Sequence, residues 1–276
     1  MSGDVGAVVV NFNCATTIRR CLDSLLQEPQ IRRVVVVDNA SSDGSWEQIP
    51  PEMLIRNSQN VGFAAAVNQG VAGLPGCSFI LLLNPDAWLC PGAVTQLKQA
   101  LTSEHGVGAA GPRITDEHGE TVVSGRRFPS ALVDALAALR LTHLLPRTVR
   151  VRVIQGSLMP TAGHPVKTDW ICGACMLVRS SVWTRLGGFS EEFFLYGEEL
   201  DWCWRSSKRG LSCLYVPDAL VQHVGGVSAD TVFSSSEVPA RVEREIKRAC
   251  QRNMSPSHYF AWSLVQRWLV RRGQSS

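Results

Sequence analysis

Two aspartates follow short apolar runs that predict buried strands. Asp38 comes directly after Val34–Val37, and Asp86 follows Ile80–Leu83 with Asn-Pro between them. Open parallel sheets bind their ligands at the carboxyl ends of the strands. A carboxylate there could bind a divalent cation that holds a phosphate, or it could only shape a turn. For Asp86 the local sequence leaves both alternatives open.

The position of Asp38 also allows a role in recognising a nucleotide base. A carboxylate can accept a hydrogen bond from the N3–H of uracil or thymine, a group that cytosine lacks. The alternative is an aspartate that caps or shapes a turn. We favour base recognition, because Asp86 falls at an equivalent place in the predicted sheet.

A further set of acids lies at the predicted start of a helix. Glu198, Glu199 and Asp201 follow the apolar residues 193–196. The helix macrodipole favours acids in the first turn, so capping alone would explain them. Beside an apolar wall, however, a carboxylate has its pKa raised by loss of hydration, as a general base requires. We therefore interpret the three acids as candidates for a catalytic base.

His223 precedes two glycines at the end of an apolar segment. Taken alone, such a histidine is best explained as a core residue. Together with Asp86 it becomes a candidate metal ligand, because imidazole and carboxylate suit Mn²⁺ or, less ideally, Mg²⁺.

Alternating strands and helices must position these side chains. Val5–Phe12 and Val34–Val37 predict strands, and apolar residues from Ile18 to Leu26 at i, i+3, i+4, i+7 and i+8 predict the helix between them. The result is a βαβ unit, which implies a parallel sheet with a right-handed crossover.

A second predicted helix, Phe63–Val71, begins after Gly62. Its first amides could face an anion, or its small residues could only permit close packing, and both can hold. Later in the chain, Leu211–Pro217 and Ala219–Val224 predict two further strands. The segment 124–168 is the least regular, which favours a lid or substrate loop.

Composition narrows the class of protein. With 45% hydrophobic and 18% charged residues, the 276-residue chain has the balance of an ordinary globular protein. A net charge of +3 is too small to indicate a nucleic-acid partner. Nine scattered cysteines favour reduced thiols and a cytoplasmic location, without a signal peptide or a membrane span. The turn after the first strand has no GxGxxG, which argues against a dinucleotide-dependent oxidoreductase.

Basic residues are concentrated in the tail. From Arg241 onward, eight Arg and Lys residues stand against two Glu residues, so the tail carries +6 and the rest of the chain −3. Apolar residues alternate with these charges between Tyr259 and Arg272. Two alternatives stay open: a helix packed on the domain, or an interfacial helix on anionic lipid, peripheral on the inner face of the cell membrane.

Several blocks in this order resemble the inverting family 2 glycosyltransferases with a GT-A fold, and most closely their bacterial rhamnosyltransferase-like branch. The blocks span about four-fifths of the chain and are VVVNFN (8–13), VVVVDNASSDGS (34–45), NVGFAAAVNQG (60–70), LLLNPDAWLCPGA (81–93), DWICGACMLVR (169–179), LGGFSEEFFLYGEELDWCWR (186–205) and YVPDALVQHVGG (215–226). The fold class that the resemblance implies is α/β: a mostly parallel sheet flanked by helices, with a C-terminal helical tail.

The resemblance also implies roles for individual residues. Asp86 would be the metal-binding acid of the family's DxD motif, which has Asn84 at its first position, and His223 the second protein ligand. Glu199 matches the catalytic base, with Glu198 and Asp201 as rivals. The expected nucleotide-binding residues are Asn11, Asn13, Asp38, Asn60, Gly62, Asn68 and Asn84. The expected acceptor-side residues are Asp169, Trp170 and Gly173.

The function implied is transfer of a sugar, L-rhamnose from dTDP-rhamnose by analogy with the branch, to a hydroxyl of a glycan or polyprenyl-linked saccharide in cell-surface polysaccharide synthesis. A dTDP- or UDP-sugar would be the donor, with Mn²⁺ or Mg²⁺ as cofactor. The alternative is a catalytically weak or inactive sugar- or lipid-binding relative. We expect a catalytic domain over 1–230, with a nucleotide half (1–115) and an acceptor half (116–230), and a basic helical tail over 231–276.

Overall fold

One large sheet forms the centre of the molecule. The computed structural model describes residues 3–122, 124–141, 160–225 and 237–271. Within these residues the sheet has ten strands, eight of them in the order β3-β2-β1-β4-β11-β6-β12-β5, with β7 beside β6 and β9 beside β12. The strands are β1 (Val5–Asn11), β2 (Ile31–Asp38), β3 (Leu54–Arg56), β4 (Phe79–Leu83), β5 (Ala87–Leu89), β6 (Val107–Thr115), β7 (Thr121–Val122), β9 (Val166–Thr168), β11 (Cys175–Arg179) and β12 (Ser212–His223). A separate two-stranded ladder joins β8 (Gly125–Arg126) to β10 (Trp170–Ile171).

The N-terminal half of the sheet is parallel. Strand β1 pairs in parallel with β2 and with β4, and β2 pairs in parallel with β3. Asn11 lies opposite Asp38, and Val9 lies opposite Leu83. The carboxyl ends of these strands therefore meet at one edge, as the predicted βαβ unit requires.

The other half of the sheet is mixed. Strand β11 is antiparallel to both β4 and β6, and β12 runs parallel to β6 but antiparallel to β5. The two strands predicted over 211–217 and 219–224 are one strand, β12, whose register against β6 shifts between Val216 and Leu220. Pro217 and Asp218 fall inside this bulge, where a residue without an N–H leaves no ladder donor missing.

Helices cover both faces of the sheet. They are α1 (Ile18–Leu26), α2 (Phe63–Ala72), α3 (Ala93–Ser103), α4 (Ala131–Ala138), α5 (Ser180–Leu186), α6 (Glu198–Ser207), α7 (Val238–Asn253) and α8 (Pro256–Arg271). Apolar residues of α1 and α3 form one core with alternate residues of β1, including Val9. Those of α2, α5 and α6 form a second core on the other face, with Val8 and Val10. This layering is the expected α/β architecture.

The two C-terminal helices share a core with the rest of the chain. Cys250 of α7 and Trp262 of α8 pack with Phe193, Leu200 and Trp204. The predicted domain boundary between 230 and 231 lies outside the described residues. Residues 142–159, which are 18 of the 45 residues of the predicted lid (124–168), also lie outside them. In the described ranges no helix has both the length and the apolar character needed to cross a bilayer.

Candidate active site

A cavity of about 210 Å³ opens at the carboxyl edge of the parallel strands. Seven of the residues that the sequence singled out line it: Asn60, Asn84, Asp86, Gly173, Glu198, Glu199 and His223. They come from five separate stretches of chain, which the sheet order brings to one place. The candidate metal ligands and the candidate base thus face one cavity.

Asp86 and His223 are brought together by strand pairing. Ala87 of β5 lies opposite His223 of β12, and the Val224 amide donates to the Asp86 carbonyl oxygen. His223 Nε2 lies 3.1 Å from Asp86 Oδ1 and 3.5 Å from Asn84 Nδ2. The Asp86 side chain is almost fully buried, yet it borders the cavity.

This pair fits a divalent cation of the Mn²⁺ or Mg²⁺ type. A carboxylate oxygen and an imidazole nitrogen at this separation can turn to a shared ion, and the donor set suits Mn²⁺ well. Among the described residues no group of three or more His, Cys, Asp and Glu side chains is placed to hold a metal. Since this part of the chain adds no third acid, thiol or imidazole, a bound molecule or water would supply further ligands of a cation at Asp86.

Glu198 and Glu199 begin α6 and are both buried. Burial raises the pKa of Glu198 well above its ordinary value, and the neighbouring Glu199 raises it further. Burial also raises the pKa of Glu199, but backbone hydrogen bonds, the Arg126 charge and a hydrogen bond from Glu198 oppose that rise. One oxygen of each carboxyl, Oε2, has no hydrogen-bond partner in the described structure. The pair is therefore arranged as an acid, Glu198, beside a more readily ionised Glu199.

Asp201 points elsewhere. Its carboxylate is completely buried and accepts from Arg205 Nε at 2.8 Å and from Asn253 Nδ2 at 2.8 Å, with Arg252 Nε at 3.4 Å. It does not line the cavity. This geometry removes Asp201 from the candidates for the base, because its lone pairs already join α6 to α7.

Asp38 and Asn11 form a buried network beneath the carboxyl edge. Asn11 Nδ2 donates to Asp38 Oδ1 at 2.7 Å and to Ser45 Oγ at 2.8 Å. Ser41 donates to the same carboxylate through Oγ at 2.6 Å and through its amide at 3.1 Å. Both Asn11 and Asp38 are fully buried and neither lines the cavity. In this structure they fix the 39–45 loop and do not present their side chains to a ligand.

Asn39 is a cavity residue that the sequence analysis missed. Its Nδ2 donates to Asn60 Oδ1 at 2.9 Å and to the Gly62 carbonyl oxygen at 3.2 Å, and its Oδ1 accepts from the Val61 amide. Asn60 in turn accepts from the Gly62 amide. Asn13, with φ 52°, accepts from the Ser42 amide and does not line the cavity. Asn39 directly follows Asp38 at the end of a predicted strand, and this position could have identified it as a candidate site residue.

Asn68 is directed away from the cavity. It donates to the Phe189 carbonyl oxygen at 2.9 Å and to Glu191 Oε1 at 3.0 Å, and accepts from the Phe189 amide. It therefore joins α2 to the loop before α6. At the start of α2, the Phe63 amide donates to the Phe194 carbonyl oxygen at 2.6 Å, so this amide is not available to an anion.

The predicted acceptor residues lie along one segment, of which Gly173 reaches the cavity. Asp169 Oδ2 accepts from the Phe128 amide at 2.8 Å, and burial raises the pKa of Asp169. Trp170 Nε1 donates to the Arg127 carbonyl oxygen at 2.8 Å. Asp169 and Trp170 thus fasten the 126–128 segment, while Gly173 lies against Glu199.

Apolar side chains complete the wall: Phe12, Phe63, Phe194, Leu195 and Tyr196 all line the cavity. Tyr196 has φ 73°, a strained backbone for a residue with a side chain, and it directly precedes Gly197, the residue before α6. The predicted apolar wall beside the acids is therefore present.

Comparisons with known proteins bear on the family and the fold of the chain. Residues 7–160 match the family model described as Glycosyl transferase family 2. The N-acetylglucosaminyl-diphospho-decaprenol L-rhamnosyltransferase of Mycobacterium tuberculosis is 28% identical over 286 residues, which cover 98% of this chain and 90% of the relative. The low-salt glycan biosynthesis hexosyltransferase Agl10 of Haloferax volcanii is 24% identical over 77% of this chain and 64% of the relative.

Two solved structures share the fold. The mannosyltransferase PcManGT from Pyrobaculum calidifontis, in complex with GDP-Man and Mn²⁺, superposes with a TM-score of 0.57 at 15% identity over 98% of this chain and 75% of that one. GalNAc-T7 with UDP, GalNAc and Mn²⁺ gives 0.59 at 15% identity over 80% of this chain and 44% of that one. At such identities the likeness concerns the fold alone.

Proposed function

The chain belongs to glycosyl transferase family 2, and on that premise we propose that it transfers L-rhamnose from dTDP-rhamnose to a hydroxyl of a polyprenyl-linked saccharide, with inversion at the anomeric carbon. The observation that carries this proposal is the single cavity lined by Asp86, His223 and Glu199. The choice of sugar and acceptor is supported by the name of the mycobacterial relative.

On the donor side, Asp86 and His223 would hold a divalent cation, Mn²⁺ or Mg²⁺. When bound, such a cation supplies Lewis-acid stabilisation of the charge that develops on a leaving diphosphate. Asn39, Asn60 and Asn84 give this part of the cavity neutral polar groups for a nucleotide. We assign Asp38 and Asn11 to positioning, since they order the loop that begins at Asn39.

On the acceptor side, Glu199 would accept the proton of the attacking hydroxyl. Inversion needs one carboxylate as base, whereas a retaining glycosidase needs a nucleophile and an acid about 5 Å apart. Burial and the neighbouring Glu199 raise the pKa of Glu198 well above its ordinary value, so Glu198 is the less suited of the two to act as an ionised base. The Gly173 backbone lies close to Glu199: a methyl group on Gly173 would be in ordinary van der Waals contact with Glu199 Oε1, at 3.7 Å.

Calorimetric titration with dTDP and UDP, each with and without Mn²⁺, tests the donor site. We expect binding that needs the metal, is tighter for dTDP and is lost in Asp86→Ala. Asp23→Asn, at a half-exposed side chain of α1, is the matched control and should bind as the wild type does. Metal-independent binding that Asp86→Ala leaves intact would overturn the assignment of Asp86.

An activity assay tests the donor and acceptor. With dTDP-rhamnose and a polyprenyl-diphosphate-linked N-acetylglucosamine, we expect a product one rhamnose heavier by mass spectrometry. Transfer from a UDP- or GDP-sugar, and not from dTDP-rhamnose, would show that the proposed donor is wrong, although the reaction would still be sugar transfer. Nucleotide binding without transfer to any acceptor tried would favour a sugar-binding relative.

A further inference from the structure

Helices α4 and α8 pack on each other and expose an unusual number of large apolar side chains. Ten such side chains are exposed among the described residues, and six of them lie in these helices or directly after α4. They are Leu132, Leu139, Leu141, Phe260, Leu264 and Val270. Leu132 is 69% exposed and Phe260 64% exposed, so the part of the chain that the structure describes covers neither. We call this surface the α4–α8 face.

The exposed residues of α8 follow a helical stripe. Phe260, Leu264, Arg267 and Arg271 are spaced at i, i+4, i+7 and i+11, and all four are exposed. Trp262 and Leu269, on the opposite side of the helix, are buried. The helix thus has two apolar sides: one faces the core, and the outer one ends in two arginines.

Negative charge is absent from the outer side of this face. Residues 254–271 contain no Asp or Glu, and residues 124–141 contain one, Asp134. The Asp134 carboxylate is occupied by Arg127, by Trp262 Nε1 at 2.9 Å and by Gln266 Nε2 at 2.9 Å. The face therefore combines exposed apolar groups with positive charge only.

We propose that the α4–α8 face binds the surface of an anionic lipid bilayer. Leu132, Phe260 and Leu264 would enter the boundary between headgroups and acyl chains, while Arg267 and Arg271 meet lipid phosphates. Exposed apolar groups beside basic charge of a single sign are the pattern of a surface that binds anionic lipid. Helix α8 has 16 residues and is too short to span the hydrocarbon core, so it would lie on the bilayer surface.

The face is fastened to the chain that forms the acceptor side of the cavity. Phe128, three residues before α4, stacks on Trp204 at 4.5 Å and donates its amide to Asp169. Strand β8 pairs with β10, two residues before Gly173. If α4 and α8 lie on a bilayer, the chain on the acceptor side of the cavity is held at a fixed distance from the membrane surface. A lipid-linked molecule would reside in that same membrane.

Vesicle flotation with the full chain tests the proposal. We expect the wild type to float with phosphatidylcholine vesicles that contain 30% phosphatidylglycerol, and far less with pure phosphatidylcholine. Arg267→Gln/Arg271→Gln should weaken binding about 30-fold, at about 1 kcal/mol per basic residue near an anionic surface. Arg185→Gln/Arg209→Gln, exposed arginines of α5 and the loop after α6, remove equal charge and should bind as the wild type does.

A second variant pair tests the apolar part. Phe260→Ser/Leu264→Ser should lose vesicle binding, whereas Leu26→Ser, which alters an exposed leucine of α1, should keep it. Calorimetric titration with dTDP and Mn²⁺ should give the same affinity for all variants, which separates this proposal from the donor site. Equal flotation of the wild type and both face variants would overturn it. So would a dimer, seen by sedimentation velocity, that Phe260→Ser/Leu264→Ser dissociates, since a second copy would then cover the face.

Discussion

Glu198 and Glu199 are neighbours in sequence, yet their surroundings give them different chemistry. Both carboxyls are buried, but Arg126, Gly173 and the hydrogen bond between the two favour ionisation of Glu199 over Glu198. A base must be ionised to accept a proton, and an acid that remains protonated can only orient it. Substitution of each glutamate is therefore expected to have a different effect on catalysis.

We expect Glu199→Gln to lower kcat by about 10²–10⁴-fold, the usual contribution of a general base. Glu198→Gln keeps a hydrogen-bond donor in place of a protonated carboxyl, so its kcat should stay close to the wild-type value. Steady-state kinetics with saturating donor measures both. The assignment of Glu199 as the base is wrong if Glu198→Gln lowers kcat more than Glu199→Gln does. As a control, both variants should bind dTDP as the wild type does.

Arg126 offers a test through pH. Because its charge lowers the pKa of Glu199, Arg126→Gln should raise that pKa. The base is active when ionised, so kcat falls as pH decreases through this pKa, and the acid limb of the profile should move to higher pH. Arg126→Lys keeps the charge and should leave the limb near its wild-type position. A limb that moves to lower pH in Arg126→Gln would contradict the assignment of Glu199.

The sequence predicts where the acidic residues of the site lie in the sheet, but it does not predict their hydrogen-bond partners. Strand-end positions predicted that Asp38 and Asp86 lie at one edge of the sheet, and the β1–β2 and β1–β4 pairings place them there. The burial of Asp38 could not be predicted, because its partners Asn11 and Ser41 are brought to it only by the folded sheet and loop. The same holds for Asp201, whose partner Asn253 is 52 residues away.

At the scale of elements, the turn into α2 connects the two sides of the cavity. Gly62 has φ 88°, and a methyl group on it would lie 2.8 Å from the Phe194 carbonyl oxygen. That oxygen also accepts from the Phe63 amide. The start of α2 and the apolar wall before α6 are thus in direct backbone contact.

We expect Gly62→Ala to destabilise the fold and to weaken nucleotide binding, because the added methyl group forces Asn60 or Phe194 to move. Gly76→Ala is the matched control: its φ is 81°, but nothing lies within 4 Å of the new atom. It should cost only the left-handed backbone strain of about 1–2 kcal/mol. Chemical denaturation and dTDP titration measure both effects. Equal affinity in the two variants would argue against a role of this contact in shaping the cavity.

Elements with local signals were predicted well. The helix predicted from Ile18 to Leu26 and the strand predicted over Val34–Val37 are present as α1 and within β2, since helix spacing and short apolar runs are properties of adjacent residues. The mixed half of the sheet was not predictable, because the antiparallel insertion of β11 between β4 and β6 depends on partners far along the chain. The single bulged β12 was missed because Pro217 normally indicates the end of a strand.

At the scale of the whole molecule, the tail and the catalytic region share buried polar contacts. Asn253, near the end of α7, donates to the buried Asp201 carboxylate and accepts from Lys208 Nζ at 3.1 Å. Glu245 of α7 is also buried, and its charge contributes to the raised pKa of Glu198. From these contacts we expect the predicted segments 1–230 and 231–276 to unfold as one cooperative unit.

We therefore expect Asn253→Ala to lower the free energy of unfolding of the whole protein by about 1–3 kcal/mol, because it removes a hydrogen bond from a buried carboxylate. Unfolding followed by tryptophan fluorescence and by circular dichroism should remain one coincident transition, shifted as a unit. Gln251→Ala, an exposed position on the same helix, should leave the transition unchanged. Two separate transitions, of which Asn253→Ala shifts the first alone, would instead mean that the tail unfolds as an independent domain. The buried Asp201 carboxylate would then be stabilised by Arg205 alone once the tail has unfolded.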